Sequence, residues 1–280
     1  MRPKIGLVLG GGGIRGLAHI GILTVLEREN IPIDYIVGTS MGAIVGVAYA
    51  LGHESAAIAE RMTVLGKNNL FSGFNMFSSR NRQRSIEEQL RLSLGHKTFA
   101  DLKIPMTVMA VDVLTGEEVR LNSGQLVPAV LASSAVPAVF PPVTIAGRQL
   151  ADGGVIDSIA TQPAFDMGAD RVIAVDVYPS LETENIWRDP LSAVMGFQVP
   201  FNLLGNDKSP SVVTSLWRGY RIMVSYTHQL RLDQCPPDIM IRPDVDRFGS
   251  LDFKDTKGPI QAGINAAEAQ LDVIKALLVE

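Results

Sequence analysis

The chain has 280 residues, 46% of them hydrophobic and 19% charged, with a formal net charge of -4. That length and apolar content suit one large α/β domain or two small ones, and the charge balance excludes the basic excess of a nucleic-acid binder. A lone cysteine, Cys235, excludes an internal disulfide and points to a reducing, cytoplasmic compartment.

The N-terminus Met1-Arg2-Pro3-Lys4 leads into an apolar run that breaks at once on four glycines, so a signal peptide is not expected. The uncharged segment Gln125 to Gly147 holds Pro128, Pro137, Pro141 and Pro142, which a spanning helix would not tolerate together.

Lys4 to Leu9 reads as a short central parallel strand. The loop Gly10-Gly11-Gly12-Gly13-Ile14-Arg15-Gly16 comes next, and then Leu17, Ile20, Leu23 and Leu26 keep helical spacing up to Glu29. A glycine loop between strand and helix presents bare N–H groups to an anion. A P-loop would need Gly-Lys-Ser/Thr where Gly16-Leu17-Ala18 stands. A dinucleotide fingerprint fits Gly11, Gly13 and Gly16, but its acidic residue should end the second strand, and Asp34 precedes that strand. A nucleotide-binding or regulatory module stays the alternative. The preferred reading is an oxyanion hole made by the N–H groups of Gly11, Gly12 and Gly13.

Tyr35-Ile36-Val37 reads as the second strand. It runs into Gly38-Thr39-Ser40-Met41-Gly42, a G-x-S-x-G turn, and Ala43 to Leu51 reads as a buried helix. That strand–turn–helix setting is the one a nucleophile elbow requires. Gly38 and Gly42 permit the tight turn, and Ser40 stands at a helix N-terminus that favours developing negative charge.

Glu54 to Leu65 reads as a helix ended by Gly66. Residues 67–84 interleave Lys67, Arg80, Arg82 and Arg84 with Phe71, Phe74 and Phe77. This stretch is expected to be a surface excursion, either a lipid-contacting flap giving peripheral membrane contact or a solvated loop with aromatic anchors. Ser85 to Leu94 reads as a helix with a capping box from Ser85 and Glu88. Strands are expected at Ile104 to Val113 and Glu118 to Leu121, around a Thr115-Gly116 turn. Leu126 to Ser134 reads as a helix, and Val143 to Leu150 as a hairpin turning at Gly147. Ala151-Asp152-Gly153-Gly154 comes after it, with a lone aspartate between apolar residues and glycines. A helix with Gly168 near its end precedes a buried strand from Arg171 to Tyr178. Residues 179–210 read as a proline-punctuated excursion. An amphipathic helix over Ser211 to Leu232, a strand Ile239-Met240-Ile241 and a helix Pro259 to Val279 complete the chain. No domain boundary interrupts residues 1–280.

The glycine loop with Arg15, the Ser40 elbow and Asp152-Gly153-Gly154, in that order, resemble the patatin-like phospholipases, in particular compact bacterial members. The resemblance extends to Thr98-Phe99-Ala100-Asp101-Leu102, to Ser134 through Pro142, and to Ile173 through Val177. It covers residues 4–180 well and residues 181–280 loosely. It implies a three-layer α/β/α sandwich with a mostly parallel central sheet. It implies hydrolysis of lipid or fatty-acyl esters by a Ser–Asp dyad without histidine, metal or cofactor. By that resemblance Ser40 is the nucleophile, Asp152 the base, and Gly11, Gly12 and Gly13 the oxyanion donors. Arg15, Gly16, Gly38, Gly42, Gly153 and Gly154 support the motifs. After Asp-Gly-Gly the chain departs from the family pattern, with Val155 to Pro163 where many members carry Asn residues and an early proline.

Of the four histidines, His19, His53, His96 and His228, only His228 comes after Asp152 as the α/β-hydrolase triad order demands. It falls inside a helix, where a surface or capping role is expected. His19 is read as structural. Arg15 suits a head-group phosphate or the loop carbonyls, with the second favoured. Asp112 and Asp176 stand at strand ends but lack flanking glycines. No His/Cys/Asp/Glu spacing suits a metal.

Overall fold

Short apolar runs build the centre of the protein, as buried parallel strands require. A computed structural model of the chain describes residues 2–67, 79–137, 139–181, 205–206, 209–210, 212–248 and 255–279. Its strands are β1 (Ile5–Leu9), β2 (Tyr35–Thr39), β3 (Met106–Asp112), β4 (Glu118–Leu121), β5 (Val143–Ile145), β6 (Arg148–Asp152), β7 (Arg171–Val175), a two-residue pair β8 (Gly205–Asn206) and β9 (Ser209–Pro210), and β10 (Ile239–Ile241). The main sheet has eight strands in the order β10-β7-β1-β2-β3-β6-β5, with β4 also on β3. Strands β10, β7, β1, β2 and β3 are mutually parallel, whereas β4, β5 and β6 join antiparallel.

Side chains alternate across this sheet with the period of two that the pleat dictates. Ile5, Leu7 and Leu9 face one core together with Ile36, Val108, Ile173 and Val175. Val8, Val37, Met109, Val172 and Ala174 face the other. The first core is covered by α1 (Ala18–Arg28), α2 (Met41–Ala50), α5 (Leu126–Ser133) and α8 (Lys257–Ala269). The second is covered by α6 (Thr161–Asp166) and α7 (Val212–Gln234), through Ala164 and Leu232. The expected three layers are therefore present. Helices α1 and α8 lie backbone to backbone: a Cβ on Gly21 would land on the Ile260 carbonyl, and one on Gly263 on the Ala18 carbonyl.

The register around β3 positions the site. Val108 and Met109 pair with both β2 and β4, so those two strands flank β3 on opposite sides. Ala110 and Val111 pair with both β4 and β6, so β6 lies on the same side as β2. Strands β2 and β6 thus meet end to end along β3. Thr39 sits opposite Met109 and Asp152 opposite Ala110, consecutive positions on one strand. The chain end of β2 and the chain end of β6 converge there.

Some boundaries differ from expectation. Helix α3 (Ser55–Lys67) runs through Gly66 rather than ending on it. Helix α4 (Ser79–Leu94) begins six residues before Ser85, which is therefore internal and not a cap. Within the 67–84 excursion, residues 79–84 are helical, and Phe71, Phe74 and Phe77 lie outside the described residues. Most of the 179–210 excursion lies outside them as well. The C-terminal helix is two, α8 and α9 (Leu271–Ala276), broken at Gln270. Among the described residues, no helix is long and apolar enough to cross a membrane, and no group of His, Cys, Asp or Glu could hold a metal ion.

Candidate active site

Ser40 comes directly after β2 and precedes α2. Its backbone has φ 54 and ψ -120, a left-handed conformation that costs a non-glycine residue about 1–3 kcal/mol. Packing enforces it. A Cβ on Gly42 would land on the Leu9 carbonyl oxygen, and one on Gly38 would come within 2.7 Å of the Gly42 carbonyl. The two glycines are thus required by close approach rather than by a positive φ of their own. The Ser40 carbonyl accepts from Ala43 and Ile44, which starts the helix. Its N–H donates to the Ser133 hydroxyl at 2.9 Å, in the buried interior.

Asp152 ends β6 and is 6% exposed, beside Ser40 at 8%. Its backbone N–H donates to the Ala135 carbonyl, and its carboxylate accepts the Gly154 N–H at 2.8 Å. Burial pushes the Asp152 carboxyl up to about 6, against the pull of the Gly154 N–H and the neighbouring Ser40 side chain. Gly153 passes so close to β3 that a Cβ would meet the Met109 carbonyl carbon at 2.9 Å. The pair is therefore a strained serine beside a desolvated, unusually basic carboxylate.

The glycine loop sits on the same sheet edge, after β1. Gly10 donates to the Val175 carbonyl and Gly11 to the Ser158 carbonyl at 3.2 Å. This corrects the expected set of three donors: the Gly11 N–H is already committed inside the protein. Gly12 and Gly13 donate to no acceptor among the described residues. Gly13 has φ 59, and the loop then tightens into the 3-10 turn Gly13–Leu17. Gly16 is needed for packing, since a Cβ would come within 2.6 Å of the Met41 side chain. A Cβ on Gly11 would meet the Ser40 Cβ at 3.3 Å, so loop and elbow are in contact. Arg15 is buried, 5% exposed, as a structural role requires.

His19 is fully buried and its Nε2 lies 2.8 Å from the Gly10 carbonyl. Burial lowers its pKa to about 4, so the ring is neutral and Nε2–H donates. Through that bond it holds the loop. His228 departs from expectation: it is buried at 8% exposure, with Nε2 3.8 Å from Asp176 rather than near Asp152. Asp112 is engaged by Arg148 at 2.7 Å, which holds its carboxyl below the usual range. Asp34 binds Arg2 and the Ile5 N–H, far from any ribose position.

Two residues escaped the sequence reading. Ser133 accepts the Ser40 N–H, and Ser158 is stapled to Gly11 by its carbonyl and, at 3.5 Å, by its hydroxyl. Ser158 lies in the Val155–Pro163 stretch that departs from the family pattern. That departure was the one available signal.

Comparisons with known proteins bear on the family and the fold. The family model described as "Patatin-like phospholipase" matches residues 7–165. The chain is 29% identical over 274 residues to a protein of Pyricularia oryzae called Lysophospholipase NTE1, covering 93% of this chain and 18% of that one. An uncharacterized NTE family protein of Mycobacterium bovis is 37% identical over 177 residues, covering 62% of this chain and 49% of its own length. The chain thus spans half or less of these relatives. Among solved structures, VipD from Legionella pneumophila superposes with a TM-score of 0.53 at 13% identity, covering 97% of this chain and 67% of VipD, which is a likeness of fold.

Proposed function

The chain belongs to the patatin-like phospholipase family, and from that premise we propose that it is a serine acyl-ester hydrolase of lipid esters. Ser40 is the nucleophile, Asp152 the general base, and the Gly12 and Gly13 N–H groups the oxyanion donors. The Ser40 oxygen attacks the ester carbonyl carbon while its proton passes to Asp152. The carbonyl oxygen becomes an oxyanion held by the glycine N–H groups. Collapse breaks the ester bond, and the departing alcohol takes the proton back from Asp152. A water then repeats the sequence on the acyl-serine and releases the fatty acid. Asp152 suits this exchange because its raised pKa makes it a better proton acceptor than an ordinary carboxylate.

The observation that carries the reading is the meeting of Ser40, in its strained turn, with this buried carboxylate where the chain ends of β2 and β6 converge on β3. The fungal relative's name, a lysophospholipase, makes lysophospholipid the first substrate class to test. Fatty acid release from lysophosphatidylcholine and hydrolysis of p-nitrophenyl butyrate should both occur with the wild-type chain. Both should fall at least a thousandfold in Ser40→Ala. Equal rates in the two proteins would contradict the assignment.

A further inference from the structure

Helix α7 buries one face and exposes apolar side chains on the opposite one. Its inner face, Arg221, Val224, His228 and Leu232, is buried against the protein. Leu216, Met223 and Tyr226 are 69%, 70% and 66% exposed, and Leu230 is exposed as well. At about 100° per residue these four fall within one sector opposite the buried face, a stripe on the order of 21 Å long. Singly exposed apolar residues need no explanation, but a continuous stripe marks a surface that meets a partner.

The helix also stands at the site. Leu232 packs in the core under the sheet. Going back along the helix, His228 faces Asp176, Arg221 donates to the Pro179 carbonyl and Arg218 to the Leu181 carbonyl. Each of these partners lies further beyond the end of β7. The N-terminal half of α7 therefore rises past the carboxyl edge of the sheet, where Ser40 and the glycine loop sit. Tyr220 lies on this rising half. Its hydroxyl is held above its usual range first by burial, then by the charges of Tyr178 and Asp152, so the active carboxylate is within electrostatic reach.

We infer that the outer stripe of α7, Leu216, Met223, Tyr226 and Leu230, is the surface by which this protein seats on a lipid bilayer. The inference rests on the lipid-hydrolase reading, because the bilayer is then both partner and source of substrate. A second copy of the chain is the poorer occupant. The stripe exposes on the order of 500 Å² of side chain, against about 800 Å² per partner in a stable protein interface. A bilayer has no such minimum, since apolar side chains enter its headgroup boundary one by one. The chemistry of contact is apolar rather than ionic. No Lys or Arg shares the stripe, and the helix arginines are turned elsewhere: Arg218 and Arg221 to carbonyls, Arg231 to Glu118 at 3.5 Å. Neutral membranes suffice, and salt does not detach the protein.

The test is flotation of the full chain with phosphatidylcholine vesicles, in low and high salt, for wild type, Leu216→Ser/Met223→Ser/Leu230→Ser and the single variant Met223→Glu. Wild type should float in both salts. The triple variant should float at least tenfold less, and Met223→Glu should fall in the same direction. Both should hydrolyse p-nitrophenyl butyrate at the wild-type rate, which also reports that they are folded. Wild type that hydrolyses the soluble ester but does not float would overturn the bilayer surface and leave the hydrolase reading standing. Wild type that floats but hydrolyses no ester would do the reverse. Variants that float like wild type would overturn the assignment to α7. So would a wild-type dimer that the triple variant converts to monomer without any change in flotation.

Discussion

Ser40 holds a conformation that its own residue type resists, and the protein maintains it with groups that do no chemistry. Its N–H would be a buried orphan donor without Ser133. Ser133→Ala should therefore cost about 1–3 kcal/mol of stability. It should also slow acylation about tenfold to a hundredfold at temperatures where the variant is fully folded, because the hydroxyl loses its bearing on the substrate. Ser134→Ala is the control. That neighbouring hydroxyl is buried without a hydrogen-bond partner among the described residues, and neither stability nor rate should fall. Equal effects of the two changes would remove Ser133 from the machinery. Asp152 destabilises the fold in exchange for its basicity. Its folded pKa, about 6, stands above the unfolded 3.8, so the fold bears no cost below the lower value and an increasing one as pH rises through 6. Asp152→Asn should be inactive yet more stable than wild type by about 1–3 kcal/mol at pH 8. The gain should vanish near pH 4, and urea unfolding at the two pH values measures it. A gain of the same size at both would mean that ionisation is not its source. The sequence carried Ser40 and Asp152 because each stands in a glycine-marked motif. It could not distinguish Ser133 from Ser134, since only the phase of α5 at its last turn decides which hydroxyl meets the elbow. Nor could it tell that Gly11, alone of three like glycines, commits its N–H to Ser158.

Elements were legible where an apolar period exists and obscure where none does. Strands β1, β2, β3 and β7 are evident from continuous apolar runs, and α1 and α2 from the apolar stretch after each glycine turn. The first six residues of α4, Ser79 to Arg84, contain no apolar side chain. No period can be read there, although Arg and Gln are good helix formers. The meeting of β2 and β6 along β3 was out of reach for a different reason: it joins segments more than a hundred residues apart through a third strand. The packing of α1 on α8 is likewise nonlocal, and it yields a sharp contrast among glycines. Gly263→Ala would drive a methyl group into the Ala18 carbonyl and should cost about 3 kcal/mol or more. Gly219→Ala, on α7, meets nothing within 4 Å and should instead stabilise by about 0.5–1 kcal/mol. Chemical denaturation of the two variants checks both signs. A Gly263→Ala protein as stable as wild type would mean that the two helices can part without loss.

Across the whole molecule, three loops from distant parts of the chain converge on one sheet edge, and the family motifs are the visible trace of that convergence. The layer order was implied by the same motifs, whereas the outer stripe of α7 is visible only once the buried face of that helix is known. The proposed carboxylate base implies a distinctive pH response. Hydrolysis of a soluble ester should rise along a single limb with its midpoint near pH 6, the value to which burial pushes Asp152. That midpoint should persist through His53→Ala, His96→Ala and His228→Ala. The loss of the limb in any of these would point to a histidine base. The most direct measurement of the central claim is covalent labelling with a fluorophosphonate probe and peptide mapping of the product. A Ser40–Asp152 dyad predicts one labelled residue, Ser40, no label in Ser40→Ala, and labelling slowed at least a hundredfold in Asp152→Asn. Undiminished label in Ser40→Ala, or label at the wild-type rate in Asp152→Asn, would contradict it.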